Sequence, residues 1–160
     1  MVHWYIGKDC HLISRSSQHI STNSSLGIPF ETEANLRARG TSRTPDVLLS
    51  TPVAIPVRTT ATQQPYNSKS NNSDSNEVSF KWKIINWIDS KALFGDVDTH
   101  RQSVLSQAES YLHRFGPGLI VYWFGHAPRL DNLAGEIAIA GWELPRKFLL
   151  PDGRIIQRKG

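Results

Sequence analysis

Asp89 and Lys91 stand two residues apart at the end of an apolar run, Ile84-Ile85-Asn86-Trp87-Ile88. On a β-strand, residues i and i+2 point to the same side, so a carboxylate and an ammonium are presented together. A second acid, Asp46, follows Thr44-Pro45 and opens another strand-like run, Val47-Leu48-Leu49. Phosphodiesters resist hydrolysis because their transition state gathers negative charge on oxygen. A divalent cation held by carboxylates neutralises that charge and acidifies a bound water. Magnesium keeps several waters and needs only one or two protein carboxylates, which Asp46 and Asp89 would supply if their strands are neighbours. Lys91 on the same face would orient the attacking water or stabilise the developing oxyanion. Glu33, on a preceding helix, would reach the same metal directly or through water. Gln107 and Tyr111, four residues apart on a later helix, share a face and offer an amide and a phenol to support the metal shell or a substrate phosphate.

Each of these residues also has a plainer reading. Asp89 with Lys91, taken alone, is a strand-end ion pair of a kind that arises often by chance. Glu33 is equally a first-turn helix acid favoured by the macrodipole. Tyr111 can be core packing with its hydroxyl at the edge. Arg37, Arg39 and Arg43 can follow a phosphate backbone or simply solvate a helix face. His100 and His126 have no partner at ligand spacing and read as surface or loop residues. Trp82, Trp87 and Trp123 read as core rather than as platforms for bases. The ordered set of acids, lysine and Gln-x-x-x-Tyr helix tips the balance towards catalysis.

The elements that must position these groups follow from periodicity. A short helix is expected over 31–39, with Leu36 inward and Gly40 as its stop. A strand over 47–55 carries Pro52, which predicts an edge or a bulge. A second strand starts near Val78, where Phe80, Trp82 and Ile84 alternate with Ser79, Lys81 and Lys83, and becomes apolar on both faces from Ile85 onward. Asp98 or Thr99 would cap a helix whose inner face is Val104, Leu105, Ala108, Tyr111, Leu112 and Phe115. Gly116-Pro117-Gly118 ends it, and 119–124 reads as a buried central strand. A further strand is expected over 136–142, and the basic stretch 146–160 as peripheral. Strand, strand, helix, strand is an α/β layout.

Bulk properties bound the reading. At 160 residues the chain suits one domain with a real core, and 39% hydrophobic residues with five tryptophans support a globular body. A net charge of +4 is compatible with a polyanionic partner. Cys10 is the lone cysteine, which excludes an internal disulfide and a multi-cysteine zinc site and suits a reducing compartment. No apolar run approaches the roughly 20 residues of a membrane span, so a soluble intracellular protein is expected. Residues 1–27 turn Ser/Thr-rich and read as a flexible arm. Residues 28–150 form the main domain, interrupted by a polar, disordered insert at 56–77, and 151–160 is a basic tail.

Thr44-Pro45-Asp46, Asp89-Ser90-Lys91, Gln107-x-x-x-Tyr111 and Phe115-Gly116-Pro117-Gly118 before an apolar strand together resemble the codanin-interacting nuclease family. That family is the Thr-Pro-Asp branch of the PD-(D/E)xK superfamily. The likeness covers about residues 30–145 and includes Leu36–Gly40, Pro52-Val53-Ala54 and Phe94-Gly95-Asp96. It implies a restriction-endonuclease-like mixed sheet flanked by helices. It carries Glu33, Asp46, Asp89 and Lys91 over as catalytic positions, the three acids as metal ligands, and Gln107 and Tyr111 as their support. It implies a nuclease that cuts DNA, structured or single-stranded, with Mg2+ or Mn2+, in the nucleus or cytoplasm, with a codanin-type protein partner. A catalytically silent interaction module of the same fold is the alternative, and a DNA-binding domain without cleavage is a third.

Overall fold

The computed structural model describes residues 27–59, 79–133, 135–141 and 144–157. The expected arm at 1–27 lies almost wholly outside the described residues. β1 (Phe30–Thr32) runs directly into α1 (Glu33–Ala38). The Thr32 hydroxyl accepts from the Asn35 N–H and caps the helix. Leu36 is its buried anchor. The helix is shorter than the expected 31–39 because Glu31 is paired with Leu48 in the sheet.

β2 (Val47–Thr59) and β3 (Ser79–Lys91) form a long antiparallel pair. Between the pairs Leu48↔Trp87 and Val53↔Ile85, β2 advances five residues while β3 advances two. The resulting bulge holds Pro52, where its missing N–H breaks no ladder bond. β2 continues to Thr59, so residues 56–59 pair with β3 instead of belonging to the polar insert. Residues 60–77 of that insert lie outside the described residues.

α2 (Val97–Thr99), a π-helical turn (His100–Val104) and α3 (Leu105–Phe115) then carry the chain back over the sheet. The cap is Asp96, two and three positions ahead of the expected Asp98 or Thr99, and its carboxylate accepts from the N–H groups of both. β4 (Leu119–Tyr122) lies parallel to β3. After α4 (Leu130–Leu133), β5 (Ala138–Ala140) lies parallel to β4. The expected strands over 119–124 and 136–142 are therefore shorter than their apolar runs. β6 (Lys147–Leu149) and β7 (Ile155–Gln157) form a hairpin at the far edge, with Phe148 buried. Among the described residues, seven strands form one mixed sheet in the order β5-β4-β3-β2-β6-β7, with β1 also on β2. The fold is α/β. No described helix is long and apolar enough to cross a membrane.

The Gly-Pro-Gly turn shows how sequence and packing meet. Gly116 takes φ 82° at the end of α3, a conformation a side chain would strain. A Cβ at Gly118 would strike the indole of Trp87. Trp87 Nε1 donates to the Gly116 carbonyl at 2.8 Å, and the Asn86 N–H to Pro117 at 2.7 Å. The turn thus locks the helix to β3. Trp87, Ala108, Tyr111, Ile120 and Tyr122 form the core beneath the helix, while Val53, Ile85, Leu119 and Val121 form a second cluster. β4 is buried on both faces.

Two side chains depart from expectation. Trp82, expected in the core, is 42% exposed with Phe80 and Ile84, because the helical layer packs on Trp87 further along β3. Lys83 instead turns inward to donate to the Gly135 and Ile137 carbonyls. His100, expected at the surface, is buried and its Nδ1 lies 2.7 Å from the Tyr122 hydroxyl. Its π-helical turn drops it beneath the sheet end, a backbone irregularity that 3.6-residue periodicity does not reveal.

Candidate functional site

Register brings the acids together. Thr32 faces Val47, and Val47 faces Ile88. Continuing each ladder by one residue aligns Glu33, Asp46 and Asp89 in a row across three strands. The Glu33 N–H donates to the Asp46 carbonyl at 3.0 Å, as that alignment requires. Residues opposed in a ladder point to one face, so Asp46 and Asp89 share the side covered by α3, where Tyr111 feels both charges.

Asp89 is buried, at 5% exposure, and its Oδ2 lies 2.6 Å from Lys91 Nζ. Burial raises the Asp89 carboxyl above its ordinary range and the charge of Asp46 adds to that, against the opposing pull of Lys91. The loss of solvation on burial thus outweighs the ammonium held beside the carboxylate. Asp46 Oδ2 accepts from the Ser90 N–H at 2.8 Å and from the Ser90 hydroxyl at 2.5 Å. The middle residue of Asp89-Ser90-Lys91 thus grips the acid of the neighbouring strand. Sequence reasoning passed over Ser90, because alternation assigns it to the face opposite Asp89 and Lys91.

Gln107 and Tyr111 close the site from above. Lys91 Nζ donates to Gln107 Oε1 at 2.7 Å, and Gln107 Nε2 donates to the Tyr111 hydroxyl at 2.6 Å. That hydroxyl donates to the Thr44 carbonyl at 2.8 Å, two residues before Asp46. Burial drives the Tyr111 pKa well above its usual value, and the charges of Asp89, Asp46 and Glu33 all push the same way. The phenol keeps its proton and remains a donor. A continuous chain of contacts therefore runs from Asp89 through Lys91, Gln107 and Tyr111 to the Thr-Pro-Asp loop. Arg114 Nη1 steadies that loop by donating to the Ser42 carbonyl at 2.8 Å. Arg43 beside it takes φ 50°, a left-handed conformation that costs on the order of 1 kcal/mol in a non-glycine residue. Thr44 Oγ1 is buried without a partner.

Glu33 shares the row but turns outward. Its carboxylate pairs with Arg37 at 2.6 Å, one helical turn on, with both side chains well exposed. An exposed pair of this kind is weak and readily broken. Among the described residues no group of three His, Cys, Asp or Glu side chains is close enough to hold a metal. Asp46 and Asp89 stand opposite each other in the extended register, and the charge of Asp46 is felt at Asp89. His126 lies outside this cluster, paired with Asp131 at 2.9 Å.

The family described as "Protein of unknown function TPD sequence-motif" matches residues 17–140. Among curated proteins, the chain is 38% identical to CDAN1-interacting nuclease 1 of Bos taurus over 104 residues, covering 65% of this chain and 28% of that protein. It is 37% identical to the Gallus gallus protein of the same name over 99 residues, 62% of this chain and 27% of the relative. With the Homo sapiens protein the identity is 36% over 104 residues, 65% and 28% of the two chains. The matched region thus spans just over a quarter of the length of these relatives. No solved structure matches the chain.

Proposed function

The chain belongs to the TPD-motif family of codanin-interacting nucleases, and from that premise we propose that it hydrolyses DNA phosphodiester bonds with Mg2+ or Mn2+. The observation that carries the reading is the register that sets Asp46 opposite Asp89, with Lys91 held between Asp89 and Gln107. The reading includes a domain of restriction-endonuclease-like type and an intracellular setting, nuclear or cytoplasmic. It also includes a codanin-type partner, the kind of protein that the relatives are named for interacting with.

The donor set suits a hard divalent cation. Two carboxylates suffice for Mg2+, which retains waters in its remaining positions. The raised pKa of Asp89 marks a carboxylate that gains from added positive charge nearby. Such an ion supplies charge neutralisation at the phosphate and a more acidic water. Asp46 and Asp89 would hold it, and Glu33 would reach it through water once released from Arg37. Ser90 fixes the orientation of Asp46. Gln107 fixes the Lys91 ammonium, which can then donate to a phosphate oxygen as charge develops there.

The test incubates the purified chain with single-stranded, duplex and flap DNA in Mg2+ or Mn2+. Wild type should cut, while Asp89→Ala and Lys91→Ala should not, with DNA binding largely retained. Equal cutting by all three would trace the activity to a contaminant and overturn the assignment. A wild type that never cuts yet retains a codanin-type partner would favour the silent interaction module.

A further inference from the structure

Phe94 and Phe124 are large aromatic residues left open to solvent, at 49% and 67% exposure. Both stand just past the carboxyl ends of the parallel strands β3 and β4. Lys91 is paired with Tyr122 at those ends, and the chains stay in step beyond them. The Trp123 N–H donates to the Lys91 carbonyl at 3.0 Å, and the Phe124 N–H reaches the Leu93 carbonyl at 3.5 Å. Gly95 and His126 then form a parallel bridge, in which the Gly95 N–H donates to Gly125 at 2.9 Å and the Ala127 N–H to Gly95 at 2.8 Å.

This bridge makes a rigid mount. A Cβ at Gly95 would lie 2.6 Å from the Tyr122 ring, so glycine lets the post-β3 segment settle onto the sheet end. Gly125 takes φ 83°, and the Phe94 ring comes within 3.8 Å of where its Cβ would be. The Phe94 ring thus lies beside Gly125, the residue that directly follows Phe124. In open sheets, the crevice outside the carboxyl ends of parallel strands is where ligands bind. Here that crevice begins three residues beyond Lys91.

Resting on the nuclease reading above, we propose that Phe94 and Phe124 form a stacking platform for unpaired nucleobases of the DNA strand whose phosphate enters the Asp46–Asp89–Lys91 site. Exposed phenyl faces stack on any base and offer no hydrogen-bonding group, so recognition is of unpaired bases without sequence preference. The charge balance suits this occupant. The chain carries a net +4, and in the segments following the two rings Arg101 and Arg129 are exposed, while Asp96 is taken up by the helix cap and Asp131 by His126, leaving Asp98 as the exposed acid. An apolar protein partner would be served by the rings alone and would have no reason to meet them beside the acids and Lys91.

The test measures binding of a fluorescein-labelled oligothymidylate by anisotropy with Ca2+ in place of Mg2+, beside an abasic strand of equal length. Phe94→Ala and Phe124→Ala should each weaken binding of the base-bearing strand by about 5- to 150-fold and leave the abasic strand unchanged. Phe→Leu at either position should fail to restore it. Equal loss on both strands, or no loss on either, overturns the platform. Wild-type DNA affinity in these variants with loss of a codanin-type partner overturns it in favour of protein docking. The outcomes separate from those of the cleavage test. Ring-dependent binding without any cutting sustains the platform and removes hydrolysis, whereas cutting that ignores both rings does the reverse.

Discussion

Replacing Tyr111 with phenylalanine removes a single oxygen from the centre of the hydrogen-bonded chain. The ring would keep its place, edge-on to Trp87 with centroids 5.2 Å apart, so no cavity opens. The lost hydroxyl accepts from Gln107 at 2.6 Å and donates to the Thr44 carbonyl at 2.8 Å. Two net hydrogen bonds are worth about 1 kcal/mol each, and leaving a buried carbonyl unmatched adds about 1–3 kcal/mol. Because these terms overlap, Tyr111→Phe should lower stability by about 2–4 kcal/mol. Urea unfolding followed by tryptophan fluorescence reads this as a lower midpoint at unchanged slope. Gln107, freed on one side, no longer fixes Lys91, so cleavage should fall about 10- to 100-fold, mainly in kcat. A double-mutant cycle with Gln107→Leu should show coupling above about 0.5 kcal/mol. A stability change under about 0.5 kcal/mol with full activity would refute the reasoning, since the hydroxyl would then bridge nothing that matters.

Ser90→Ala removes the 2.5 Å hydroxyl contact to Asp46 but keeps the backbone one. It should weaken Mn2+ binding, read by titration calorimetry, by about 10-fold or more, with Ser90→Thr restoring it; identical Mn2+ affinity would exclude a positioning role. Lys91→Ala leaves Asp89 buried and unpaired, at about 3–5 kcal/mol near neutral pH. The Asp89 pKa is already raised in the folded state, so its contribution to stability is present in acid and lost as pH rises through that value. Removing Lys91 raises that pKa further, and the deficit of the variant against wild type should shrink in mild acid. A pH-independent deficit would contradict this. Gly118→Ala drives a methyl into the Trp87 indole and should destabilise by at least about 1–3 kcal/mol in thermal unfolding. Wild-type stability there would mean the turn has room to move.

Much of the architecture was legible along the chain. Apolar runs marked β2, β3 and β4, Pro52 marked the bulge, and Gly116-Pro117-Gly118 marked the end of α3. These are local features, set by side-chain period and backbone freedom. The spacing of Gln107 and Tyr111 placed them on one helix face, and they touch across one turn. Other features depend on which neighbours happen to be packed above. Trp82 and Lys83 exchanged their expected faces because the helix that would have covered the tryptophan lies over Trp87. His100 went inward through a π-helical turn.

By itself, the sequence determined the inventory of the candidate site, two acids beside strand ends, a lysine and a helical amide–phenol pair, because residue type and short spacing are local properties. Only the tertiary structure decided that Asp46 stands opposite Asp89, that Ser90 grips Asp46, and that Tyr111 reaches back to Thr44. Those contacts join residues 44 and 67 positions apart, and register, not periodicity, sets which of them meet.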